Sequence, residues 1–159
     1  MTKTLVAGNK APKFELPRDG GSTISLAEFK GKAVVLYFYP KDDTPGCTTE
    51  AIDFTAEKSK FSRAKTVIVG LSKDTVAKHD KFVGKHDLKI ALASDEDGST
   101  LDDYGVWVEK TNYGRKYMGI ERSTFLIDKA GKINRVWRKV RVKGHVDEVL
   151  DAVKALANT

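Results

Sequence analysis

Three stretches of the chain are apolar without polar alternation: Ala33-Val34-Val35-Leu36-Tyr37-Phe38-Tyr39, Thr66-Val67-Ile68-Val69-Gly70-Leu71-Ser72 and the shorter Lys89-Ile90-Ala91-Leu92-Ala93. Runs with no polar face fit strands covered on both sides of a sheet. Between the first two, Cys47, Ala51, Phe54 and Phe61 recur near the helical period through about Arg63, with Lys58 supplying only its stem, and predict a helix. Between the second and third, Val76, Phe82 and Val83 turn toward a core on a helix that Asp74 can cap. Asp95-Glu96-Asp97-Gly98 is a turn into a brief helix ending near Tyr104-Gly105. Ser123 to Asp128 and Ile133 to Trp137 flank Lys129-Ala130-Gly131-Lys132 and predict a hairpin. Val146, Val149, Leu150, Val153 and Leu156 give a closing helix from His145 to Ala157. Strand-helix alternation followed by an antiparallel pair predicts an α/β fold, a central mixed sheet flanked by helices.

Elsewhere the pattern is weaker. Residues 8–17 hold prolines that forbid a central strand, so they form a loop passing into a short edge element. Ser25-Leu26-Ala27-Glu28 is a capping box opening one helical turn. From Val106 to Gly119 the pattern breaks, and Trp107, Tyr113 and Tyr117 are expected as half-buried aromatics in a long loop. Lys139, Arg141 and Lys143 alternate with Val140 and Val142, which puts three cations on one face of an extended segment, an edge guarded against strand addition.

Length and composition add limits. At 159 residues, 40% hydrophobic and 31% charged, with a mean hydropathy of -0.39, the chain is expected as a single domain spanning residues 1–159 that needs no staple. No apolar run approaches a membrane span, and the start through Asn9 lacks the apolar core of a signal peptide, so the expected location is cytoplasmic, with no membrane partner. The net charge of +6 is spread along the chain, so no nucleic-acid partner is expected.

One cysteine excludes an internal disulfide and any Cys-x-x-Cys exchange motif. Thr44 reads as a helix N-cap and Pro45 as the first helical residue, so Cys47 falls in the first turn. There, unpaired backbone N–H groups and the positive end of the helix dipole favour thiolate over thiol. A free cysteine is commonly just a small buried hydrophobe; the Thr-Pro-Gly-Cys junction makes an activated nucleophile the better reading. His79, His86 and His145 lie scattered in polar segments without ligand spacing and are read as surface residues. Asp95, Glu96 and Asp97 lack the remaining ligands of a calcium loop and are read as a solvated turn, so no metal is expected. No phosphate loop, dinucleotide fingerprint or serine elbow is present, and no cofactor is expected.

Gly8-Asn9-Lys10-Ala11-Pro12-x-Phe14, Tyr39-Pro40-x-x-x-Thr44-Pro45-Gly46-Cys47-Thr48-x-Glu50 and Tyr113-Gly114-x-x-Tyr117-x-Gly119-Ile120-x-Arg122-Ser123-Thr124-Phe125-Leu126-Ile127-Asp128 stand in this order. With these motifs the chain resembles the peroxiredoxins, specifically the bacterioferritin comigratory protein or Q-type subfamily. The resemblance implies a thioredoxin-like fold and thiol-dependent reduction of hydrogen peroxide and organic hydroperoxides. It makes Cys47 the peroxidatic cysteine, Thr44 the residue whose hydroxyl contacts peroxide and thiolate, Pro40 the shield against water and Arg122 the site arginine. Glu50 stands where the subfamily often has a residue that orients that arginine.

Many subfamily members carry a resolving cysteine five residues after the first; that position is Ile52. The resemblance therefore implies a one-cysteine form whose sulfenic acid is resolved by an external thiol such as thioredoxin, a glutaredoxin or glutathione, and a monomer, common in the subfamily. The alternative is a thioredoxin-fold binding or chaperone module with a non-catalytic cysteine.

Overall fold

The computed structural model describes residues 4–158. Met1 to Lys3, the first part of the segment read as lacking a signal core, and Thr159 lie outside the described residues. The strands are β1 (Glu15–Pro17), β2 (Thr23–Ser25), β3 (Ala33–Phe38), β4 (Thr66–Ser72), β5 (Ala91–Ser94), β6 (Trp107–Asn112), β7 (Arg115–Ile120), β8 (Ser123–Ile127) and β9 (Ile133–Trp137). The helices are α1 (Pro45–Arg63), α2 (Val76–His86), α3 (Ser99–Asp103) and α4 (His145–Ala157), with a 3-10 turn at Leu26–Phe29.

The main sheet runs β5-β4-β3-β8-β9. β3, β4 and β5 are parallel, joined through α1 and α2, while β8 and β9 are antiparallel additions on the other side. This is the mixed sheet the sequence predicts. The apolar run of β3 explains its central place, because consecutive residues feed opposite faces. Val35, Tyr37 and Tyr39 meet α1, α2 and α4 through Phe54, Phe82 and Val149. Val34, Leu36 and Phe38 meet Leu16, Ile24, Leu101 and Tyr104 from β1, β2, α3 and the residue after it. Among the described residues no helix is long and apolar enough to cross a membrane.

Several expectations are corrected. The expected loop at 106–119 is a hairpin, β6 paired with β7 outside the main sheet. Its turn places Tyr113 and Gly114 at φ 51° and 76°, the two positive values of a type I′ turn, which Tyr-Gly does not advertise as Asn-Gly would. Tyr113 is 98% exposed and Tyr117 is also exposed; only Trp107 is half-buried. Lys139, Arg141 and Lys143 lie in irregular chain and guard no strand, although all three are exposed. Thr75, not Asp74, caps α2, its hydroxyl accepting from Lys78 N. Asp95 is buried, its Oδ2 accepting from Leu101 N at 2.9 Å.

Two of the histidines read as surface residues are buried. His79 occupies the inner face of α2, and His145 begins α4, its Nε2 2.8 Å from Thr124 Oγ1. Burial drives the His145 pKa down to about 4, with the Arg122 charge adding to the effect against Glu148, so the ring is neutral. The surrounding residues conceal both histidines from a pattern reading, since each belongs to a helix whose other inward positions are apolar.

Candidate active site

The C-terminal ends of the parallel strands, where open α/β sheets place their ligands, meet the start of α1. β3 delivers Tyr39 and then Pro40, which is exposed, and the loop Lys41-Asp42-Asp43 turns back with Asp43 at φ 61°. Thr44 occupies the N-cap with extended dihedrals, and Pro45 opens α1, as the sequence predicts. The Thr44 hydroxyl does not cap: it donates to Lys41 O at 2.8 Å. Its lone pairs are therefore left for another donor.

Cys47, third in α1 and 1% exposed, lies below this loop. Arg122 comes from between β7 and β8, held there by two backbone bonds: Glu121 N donates to Val106 O and Val140 N to Arg122 O. Its guanidinium donates from Nη2 to Cys47 Sγ at 3.3 Å and from Nη1 to Glu50 Oε1 at 2.6 Å. Glu50, one helical turn past Cys47, is fully buried. The structure thus joins Cys47, Glu50 and Arg122 directly, with Thr44 half-buried and Pro40 exposed on the loop alongside.

Sequence reasoning missed the part played by Gly46. A Cβ built there would stand 3.2 Å from Arg122 Nη2 and 4.0 Å from Val142 Cγ2, so any larger residue presses on the guanidinium. The signal was a glycine at the second helical position, where helix propensity alone would disfavour it.

Charge is shared unevenly. Burial works against the Arg122 cation, but Glu50 and Cys47 beside it outweigh burial and raise its pKa, so the guanidinium stays charged. Glu50 is pushed up to about 7 by burial, with Arg122 opposing. Its second oxygen, Oε2, finds no partner among the described residues, which is why one close guanidinium does not offset the desolvation. The carboxyl therefore titrates close to neutrality, beside a guanidinium that stays charged and faces the sulfur as well.

This has a consequence for stability. A carboxyl whose folded pKa is raised stabilises the fold below its ordinary range and loses that contribution as pH rises through about 7. Relative to Glu50→Gln, wild type is expected to lose up to about 3 kcal/mol of stability between about pH 4.5 and 7.5, and nothing further above. Paired denaturation curves across that range check it; a difference that grows in favour of wild type with rising pH would contradict it.

Among the described residues, Asp42, Asp74 and His79 come nearest to a metal-ligand set, with donor atoms within 4.8 Å of one another. His79 Nδ1 and Asp42 Oδ2 are only 2.6 Å apart, whereas two donors on one tetrahedral zinc stand about 3.3 Å apart. That spacing belongs to a hydrogen bond.

The AhpC/TSA family pattern matches residues 7–136. The chain belongs to that family. It is 50% identical over 154 residues to peroxiredoxin Bcp of Bacillus subtilis, covering 97% of this chain and 98% of that one. It is 52% identical over 147 residues to a putative peroxiredoxin Bcp of Coxiella burnetii, covering 92% and 97%. Among solved structures, peroxiredoxin Q of Xanthomonas campestris superposes with a TM-score of 0.88 at 42% identity, covering 98% of both chains. The fold is thus that of the thioredoxin-like peroxiredoxins, and the activity that of a thiol-dependent peroxidase, with a single cysteine to perform it.

Proposed function

We propose that Cys47 is the peroxidatic nucleophile and that the observation carrying this is the 3.3 Å contact from Arg122 Nη2 to Cys47 Sγ in the first turn of α1. The thiolate attacks one peroxide oxygen; the O–O bond breaks, the sulfur is oxidised to sulfenic acid, and the departing oxygen leaves as water or alcohol once protonated. Arg122 faces both the thiolate and the charge moving onto the leaving oxygen. Glu50 holds one arm of the guanidinium. Thr44, its own proton spent on Lys41 O, accepts from the hydroperoxide O–H, and Pro40 limits water at the loop. The unit at work is a single domain comprising residues 1–159.

No second cysteine exists, and Ile52 is 42% exposed on α1, so an external thiol resolves the sulfenic acid: thioredoxin, a glutaredoxin or glutathione. Organic hydroperoxides are substrates alongside hydrogen peroxide. A Xanthomonas campestris bacterioferritin comigratory protein, 41% identical with a TM-score of 0.88, has been solved in trapped intermediate and ligand complexes bearing on its alkyl peroxide reduction activity, which supports this reading. The protein acts as a monomer in the cytoplasm. A binding or chaperone role for the fold has no observation in its favour.

Without added thiol, the protein is expected to consume only a stoichiometric amount of hydroperoxide, the first equivalent adding one oxygen atom by mass at Cys47 and any excess carrying the sulfur on to sulfinic acid without turnover. Added thiol restores turnover through a mixed disulfide. Continued consumption with no thiol present would overturn the scheme.

A further inference from the structure

Beneath the loop that precedes α1 lies a closed set of buried polar groups that the steps above do not use. Tyr39 OH donates to Asp42 Oδ1 at 2.5 Å, and His79 Nδ1 stands 2.6 Å from Asp42 Oδ2. His79 Nε2 stands 3.0 Å from Ala93 O. Asp74 Oδ2 accepts from Asp42 N at 2.8 Å and from Ser72 Oγ at 2.7 Å, and Ser94 Oγ donates to Asp74 O at 2.6 Å. His79 is fully buried and Asp42 and Asp74 are each 8% exposed. The set ties the loop to the ends of β4 and β5 through α2.

The partners fix the protons. A carbonyl oxygen only accepts, so His79 Nε2 carries hydrogen toward Ala93. On the other side the 2.6 Å contact to Asp42 Oδ2 holds one proton, and with Asp42 as the carboxylate that proton sits on Nδ1. In that arrangement the ring is an imidazolium paired with Asp42, facing Tyr39 just after β3 and Asp74 just after β4. Burial alone would discharge it, but the Asp42 bond and charge, the Ala93 carbonyl and the Asp74 charge raise its pKa.

The loop's other bonds include Tyr39 N donating to Leu71 O at 3.2 Å and the local bond from Thr44 Oγ1 to Lys41 O at 2.8 Å. Pro40, Lys41 and Asp43 are exposed. Asp43 does pair with Lys85 at 2.8 Å and His86 at 3.0 Å, but pairs this exposed are screened by solvent and hold a loop weakly. Asp42 is the loop's buried anchor, and His79 is what makes burying its charge tolerable.

We propose that His79 is a positioning residue: clasped between Asp42 and Ala93, its imidazolium fixes the segment from Tyr39 to Thr44 and so sets where Pro40 and Thr44 stand relative to Cys47. This rests on Cys47 being the peroxidatic thiolate. Peroxide attack needs the oxygen in line with the sulfur and held by Thr44, whereas alkylation by iodoacetamide makes no use of the Thr44 hydroxyl. Misplacement by about 1 Å costs on the order of a hundredfold in such reactions.

The test compares rate constants per folded molecule for hydrogen peroxide and for iodoacetamide in wild type, His79→Gln and Asp42→Asn. The peroxide rate is expected to fall by about 10- to 100-fold in both variants, with alkylation slowed by no more than about twofold, because a displaced loop uncovers the sulfur, which is 1% exposed in the native fold. Nitrogen chemical shifts of His79 in the wild-type protein, which need no variant to fold, are expected to show both ring nitrogens protonated at about pH 7. Peroxide rates unchanged in the variants, peroxide and alkylation rates falling together, or a neutral ring at that pH would each overturn the proposal. A wild-type protein inert to peroxide would instead remove the reading of Cys47 on which it stands.

Discussion

Cys47→Ser is expected to reduce hydroperoxide consumption to background, a loss of about 10,000-fold or more. A hydroxyl next to Arg122 at neutral pH remains protonated, and even an alkoxide lacks the polarisable lone pair with which sulfur attacks an O–O bond. No other thiol can substitute, because Cys47 is the chain's sole cysteine. The substitution is also a clean one structurally. Serine is close to cysteine in volume, and its oxygen inherits the donor 3.3 Å away on Arg122, so the buried hydroxyl is not left without a partner. Its stability is therefore expected to remain within about 1 kcal/mol of wild type, and the activity loss cannot be attributed to unfolding. Consumption of hydrogen peroxide and of an organic hydroperoxide, each with excess dithiol as reductant, measures the effect; equal consumption by both proteins would sink the central role given to Cys47.

The sequence pattern made the central sheet and its helices legible because their signals are local. Three unbroken apolar runs, the 3.6-period stripe from Cys47 to Phe61 and the Ala-Gly turn between β8 and β9 each declare their element within a few residues. The start of α1 was equally plain, since Thr44 and Pro45 have N-terminal preferences of their own. Cys47, Thr44 and Pro40 followed from that local context together with the family motif. Arg122 followed from the family motif alone: nothing near it in the chain distinguishes it from a surface arginine, and the fold brings it beside Cys47, 75 residues earlier. His79 and His145 were misread for the same reason. A histidine among lysines looks solvated, and its burial depends on partners such as Asp42 and Thr124 that distant parts of the fold supply. The β6–β7 hairpin stayed hidden because its strands are mostly exposed and so carry no hydrophobic alternation.

Arg122→Ala is expected to slow oxidation of Cys47 by peroxide by about 100- to 1,000-fold, the usual cost of losing one fixed donor to developing negative charge. Arg122→Lys should recover only part of this. A lysine ammonium is a point charge, and the native geometry asks one planar group to reach Glu50 Oε1 at 2.6 Å and Cys47 Sγ at 3.3 Å together. Alanine also strands Glu50, fully buried with its Oε2 already unpartnered. The carboxyl then loses the one charge that opposes its desolvation, so its pKa moves above the value of about 7 it has beside Arg122. With that pKa raised further, the stabilisation present at low pH is lost across a wider window as pH rises. Arg122→Ala is thus expected to be close to wild type in stability near about pH 5 and progressively weaker toward about pH 9, by less than the roughly 3–5 kcal/mol typical of a fully ionised buried pair cut in half, because protonation of Glu50 relieves the unpaired charge. Stopped-flow oxidation rates and denaturation at several pH values separate the two effects. A stability deficit independent of pH would show that Glu50 is not the group left exposed to the change, and an unchanged oxidation rate would show that Arg122 does not act on the sulfur.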